Sequence, residues 1–80
     1  MLEKIVAGVL PSVVFKSLVD ADPSLTNIRL AELLAEEFPE LDSIAGQYLW
    51  RWKGPSKDQG LSDENLDELL LQCFKDARYL

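Results

Sequence analysis

The side chains that most often do chemistry are scarce in this chain. It holds no histidine, the commonest general base and a common metal ligand, and one cysteine, Cys73. A lone thiol makes neither an internal disulfide nor a zinc cluster. Cys73 lies on an apolar helical stripe, which marks it as a buried structural residue; a reactive thiolate needs an exposed, electropositive site. Carboxylates are the remaining candidates. Asp63 and Asp67, and likewise Glu64 and Glu68, are paired at i and i+4. Acid–base work by two carboxylates needs a cleft that lifts one pKa, and calcium needs several oxygens on a sharply turned loop. Neither accompanies these pairs, so they read as a solvated helix face. Gly54-Pro55-Ser56-Lys57 lacks the spacing and the preceding strand of a phosphate loop and reads as a turn. The residues therefore predict no catalysis, no cofactor and no metal.

What remains is recognition. The net charge is −6, from 8 basic and 14 acidic residues, which works against non-specific binding to nucleic acid. The charge is unevenly spread. Residues 24–42 and 58–80 are strongly acidic, whereas residues 43–57 carry Arg51, Lys53 and Lys57 and no acid. That one positive stretch also contains both tryptophans, and tryptophan and arginine are the residue types enriched at binding hot spots. Gln47, Trp50, Arg51, Lys53 and Lys57 are the predicted partner-binding residues, meeting a protein that is acidic at the contact. If Trp52 belongs to the core, Trp50 lies about 200° around the helix from it and is at least partly exposed. The competing reading packs Trp50 beneath the N-terminal segment or the 54–61 loop and pairs the cations with the acidic helices.

The elements that must position these residues are helical. Pro11, Asp22-Pro23, Phe38-Pro39, Gly54-Pro55 and Gly60 punctuate four apolar segments. In the first, Leu2, Ile5, Val6, Val9 and Val13 recur at three- and four-residue steps. Pro11 removes a helical hydrogen bond, so this segment is either kinked or split there, with Pro11 opening a second helix. The second segment starts behind a Thr26 cap, with Leu25 and Leu30 spaced as a hydrophobic staple. Leu30, Leu33, Leu34 and Phe38 form its stripe, Glu32, Glu36 and Glu37 face water, and Pro39 ends it. The third, capped by Asp42 or Ser43, puts Ile44, Ala45, Tyr48, Leu49 and Trp52 on one face and stops at Gly54-Pro55. The fourth has a Ser62 cap, Asp63 and Glu64 at the positive end of the helix dipole, and Leu66, Leu69, Leu70, Cys73, Phe74 and Ala77 on its apolar stripe. No segment alternates with period two, so no sheet is expected.

The resulting expectation is an all-α, compact bundle of four short helices in one small domain spanning residues 1–80. Ile5, Val9, Leu30, Leu34, Phe38, Ile44, Leu49, Trp52, Leu66, Leu70 and Phe74 are the predicted core. Hydrophobic residues make up 48% and charged residues 28%, a globular composition. At 80 residues the chain buries only ~60% of its unfolded surface, which leaves little room for a deep cleft. No apolar run approaches the ~20 residues of a membrane span. Ile5 to Phe15 has the length of a signal-peptide core, but Glu3 precedes it and no small-residue cleavage site follows. A single cysteine points to a cytoplasmic setting. Leu71, Tyr79 and Leu80 lie off the stripe and are expected to form an exposed apolar patch suited to self-association.

Two resemblances bear on the alternative function. From Thr26 to Lys53 the second and third helices, joined by a short turn, resemble a helix-turn-helix unit. Leu30, Ala31 and Leu34 match the packing face of its first helix, and Ile44, Tyr48 and Leu49 anchor the second. The resemblance implies nucleic-acid binding through Ser43, Gln47, Trp50 and Arg51. Phe38-Pro39-Glu40 stands where that family has its turn glycine. Phe38-Pro39 and Leu69-Leu70 also resemble the Phe-Pro turn and di-leucine of small ubiquitin-binding three-helix domains, with Glu37 in place of the methionine. The main expectation is a non-catalytic protein-interaction module, with the nucleic-acid binder as the alternative on the same face.

Overall fold

The computed structural model describes residues 2–55 and 58–80. Five helices follow one another: α1 (Glu3–Val6), α2 (Pro11–Ala21), α3 (Asn27–Glu37), α4 (Ile44–Arg51) and α5 (Asp63–Asp76). The first apolar segment is thus split rather than kinked. Pro11 occupies the first position of α2, where its missing N–H costs nothing. Gly8, at φ +111°, turns the chain between the two helices in a conformation that side chains rarely adopt. That break shifts the helical register, so Val9 is 37% exposed instead of buried. Leu2, Val14 and Phe15 take its place in the core.

The local signals of the later helices translate directly. The Thr26 hydroxyl accepts from the Arg29 N–H at 3.1 Å, and the Ser62 hydroxyl from the Asn65 N–H at 3.1 Å. Phe38 leaves the helical region at φ −127°, ψ 71°, as the following proline requires. The Asp42 carboxylate, not the Ser43 hydroxyl, accepts from the Ile44 N–H at 3.0 Å. Helix α4 ends at Arg51, before Gly54-Pro55, because Trp52 turns extended. Lys53 N–H then donates to the Leu61 carbonyl (2.9 Å) and Leu61 N–H to the Arg51 carbonyl (2.7 Å), an isolated parallel bridge between Trp52 and Leu61. No strand occurs among the described residues.

Helix α3 packs on α4, α4 on α5, α5 on α2, and α2 on α1. The radius of gyration is 11.3 Å, close to the ~11.7 Å expected of a compact chain of this length. Trp52, Phe15 and Phe74 are the largest side chains wholly inside. Phe38 and Phe74 meet edge to face with ring centres 4.9 Å apart, and Tyr79 meets Phe38 edge to face at the same distance. Tyr79 therefore belongs to the core edge, where its hydroxyl accepts from the Glu40 N–H at 3.2 Å. The apolar patch expected of Leu71, Tyr79 and Leu80 does not form: Leu71 and Tyr79 are half-buried and only Leu80 is exposed. Ile44 is likewise half-buried and packs against the core. The remaining predicted core residues are buried.

Candidate functional site

Helices α3 and α4, packed on each other, leave an open apolar groove of about 350 Å³. Helix α3 presents Ile28, Ala31, Glu32 and Ala35 to it, and Ser43, at the cap position of α4, joins Gly46, Gln47 and Trp50 of that helix. Both sets follow the three- and four-residue steps of one helical face. Beneath them the lining reaches the buried Leu34, Phe38 and Ala45. A Cβ built on Gly46 stands 3.6 Å from the Ala31 Cβ, so the two helices are close there. Pro39 and Leu41 border the groove after α3 ends. A shallower cleft shares Ile28 and Trp50 with Thr26 and Asn27. Ile28 is 62% and Trp50 53% exposed.

The predicted binding residues divide. Gln47 and Trp50 both line the groove. The burial of Trp52 beside an exposed Trp50 rules out the reading in which Trp50 is a core residue. Arg51 and Lys53 are exposed but stand beyond the groove lining, in the chain immediately after Trp50. Neither forms an ion pair among the described residues. Lys57 lies outside the described residues. The charged groups that do line the groove are Glu32 and Asp42. Arg29 pairs with Glu32 at 3.4 Å and with Glu36 at 3.6 Å, both solvent-exposed contacts.

Ile28, Ala31, Ala35 and Gly46 were not singled out by sequence reasoning as site residues. Two signals for them exist in the chain. A glycine inside a helix costs about 1 kcal/mol against alanine, so its presence asks for a reason outside the helix. Ile28 lies off the Leu30–Leu34 stripe, where an apolar side chain has no core to enter.

The carboxylates of α5 are not a uniformly solvated face. Glu64 and Glu68 are exposed, but Asp67 is only 7% exposed. Its two oxygens accept from the Ser12 N–H (2.7 Å) and the Ser12 hydroxyl (2.8 Å). Leu10, at the cap position of α2, offers no side-chain acceptor. Asp67 thus does for the start of α2 what a local cap does elsewhere. Asp63, one turn earlier, accepts from the Trp52 indole N–H at 3.0 Å and pairs with Lys16. The Lys16 ammonium and the Trp52 N–H hold the Asp63 carboxyl below the usual aspartate range. Asp63 in turn raises the Lys16 ammonium. Asn27 donates its side-chain N–H to the Trp52 carbonyl at 2.8 Å, fixing the end of α4 against the start of α3.

Cys73 is buried, and burial, reinforced by the charges of Asp42 and Asp76, pushes its thiol up, away from the reactive thiolate. Among the described residues no group of three or more Cys, Asp or Glu is placed to hold a metal ion, and no helix is long and apolar enough to cross a membrane. No protein-family model, curated protein or solved structure matches the chain.

Proposed function

We propose that the chain is a non-catalytic protein-interaction module, and that its docking surface is the α3–α4 groove with the chain that follows Trp50. The exposed indole of Trp50 carries this reading. A tryptophan held half out of water at the end of an apolar groove is the kind of side chain that anchors interfaces. Gln47 supplies a hydrogen-bonding group beside it, and Arg51 and Lys53 meet acidic groups of the partner beyond the groove's end. Glu32 and Asp42 set a second preference, for basic groups over the groove itself. A nucleic-acid duplex using the same face would bring phosphates towards those two carboxylates, which is why the protein partner is preferred.

The test compares the wild-type chain with Trp50→Ala and Ile28→Ala in cross-linking and affinity capture. Both side chains are exposed, so each variant should lie within about 0.5 kcal/mol of wild type in stability. Trp52→Ala, by contrast, should cost about 3–5 kcal/mol. Captured partners should be lost with the first two variants. Capture indifferent to both would sink the proposal. A saturable change in Trp50 fluorescence on adding random-sequence duplex DNA, abolished by moderate salt, would instead favour the nucleic-acid binder.

A further inference from the structure

Among the described residues, seven large apolar side chains are exposed, and six of them fall into two patches. Ile28 and Trp50 flank the α3–α4 groove. Val6, Val9, Leu10 and Val13 cluster where α1 gives way to α2. Part of the second patch follows from the glycine turn: Gly8 breaks the helix, and Val9 and Val13, which would have continued the buried face, stand outside it. No corner residue lines the groove.

We propose that the groove takes a second copy of this chain, which enters with its apolar α1–α2 corner. The inference rests on the groove being the docking surface. Three observations favour this occupant. The corner is apolar and exposed, as a groove lined by Ala31, Leu34, Ala35 and Gly46 requires. Residues 4–19 carry Lys4 and Lys16, with Glu3 and Asp20 as the flanking acids, whereas the charged groups lining the groove are Glu32 and Asp42. In a chain of net charge −6, this is a surface that another copy's groove attracts rather than repels. Lys16 is already held by Asp63 and Glu32 by Arg29, so Lys4 of the corner and Asp42 of the groove are the charges left to meet. Lastly, the corner is pinned on both sides. The Glu37 carboxylate accepts from the Leu2 N–H at 3.0 and 3.2 Å, and Asp67 holds Ser12. A corner tied down in this way reaches a groove only on a neighbouring molecule.

Such a contact joins unlike surfaces. Each assembled copy therefore offers a free corner at one end and a free groove at the other, and growth continues unless the rotation closes a ring. The patches are small, so assembly is weak and concentration-dependent.

The test is sedimentation velocity on the full chain from micromolar to millimolar concentration. Wild type should move from monomer to species larger than a dimer, with a blue shift of Trp50 emission. The double variant Leu10→Glu/Val13→Glu keeps the groove and loses the corner; Trp50→Glu keeps the corner and loses the groove. Each alone should stay monomeric, with helical circular dichroism and melting confirming that it is folded. Mixed in equal amounts, they should form a one-to-one pair and stop there. A wild-type chain monomeric throughout overturns the inference, as does a mixture that makes no pair. A dimer surviving Leu10→Glu/Val13→Glu overturns it in favour of groove-to-groove contact. If wild type is monomeric yet Trp50→Ala still abolishes capture of other proteins, the second copy is wrong and the docking groove stands. If capture ignores Trp50 and Ile28, the groove itself is wrong.

Discussion

Asp67 is a buried carboxylate with a structural task. Replacing it by alanine strands the Ser12 N–H at the start of α2, and a buried donor without a partner costs about 1–3 kcal/mol. Asp67→Ala should therefore lower the urea-unfolding free energy by about 2 kcal/mol, and Ser12→Ala, which leaves the N–H bond in place, by less. Asp63 responds to pH. Its folded carboxyl titrates below the unfolded one, so its contribution is whole above the usual aspartate range and disappears as pH falls through the lowered value. The Lys16 contribution runs the other way: whole below the usual lysine range, and lost as pH rises through its raised value. Urea midpoints across the acid limb should converge for wild type and Asp63→Asn at the lowest pH and separate towards neutrality, with wild type higher. A constant gap would show that Lys16 and Trp52 do not set this carboxyl. The sequence left Trp50 between an exposed and a packed reading, with exposure following only if Trp52 were core; the structure buries Trp52, just past the end of α4, and exposes Trp50. The sequence could not predict Asp67, whose partner is 55 positions away; i, i+4 spacing reports only which face a residue is on.

At the scale of elements, local chemistry was legible wherever a cap and an apolar stripe agreed, as in α3 and α5. Reading failed where a non-local contact decided. Helix α4 stops at Arg51 because residues 51–53 bond to Leu61, a partner beyond the turn. Gly60 makes that contact possible. It has φ +138°, and a Cβ there would stand 2.3 Å from the Arg51 carbonyl oxygen. Gly60→Ala should cost at least about 1–3 kcal/mol in thermal or urea unfolding, and near-wild-type stability would refute the close approach. Gly46 is the opposite case. Its added Cβ meets Ala31 at an ordinary 3.6 Å, and alanine is the better helix former by about 1 kcal/mol. Gly46→Ala should raise the melting temperature while weakening whatever enters the groove, because the new methyl raises its floor. A variant both less stable and fully competent in binding would contradict that account.

For the molecule as a whole, the all-α architecture could be read from punctuation and periodicity, whereas the order of packing could not. Charge distribution located the positive stretch after α4 but not the acids of the groove, since Glu32 and Asp42 come from neighbouring segments that only the fold brings together. The α3–α4 pair is built from contacts close in sequence; the α2–α5 pair closes a long loop. Contacts of the second kind form late when their loop entropy must be met first. In stopped-flow refolding, Asp67→Ala should speed unfolding and leave the folding rate nearly unchanged. Slower folding with unchanged unfolding would place the α2–α5 contact in the nucleus instead. The borrowed cap has a further consequence during synthesis. A ribosome adding ~5–20 residues per second makes Ser12 several seconds before Asp67. Throughout that interval the nascent α2 lacks its acceptor, and the valines around Pro11 are available to chaperones before the helix that must steady them has been translated.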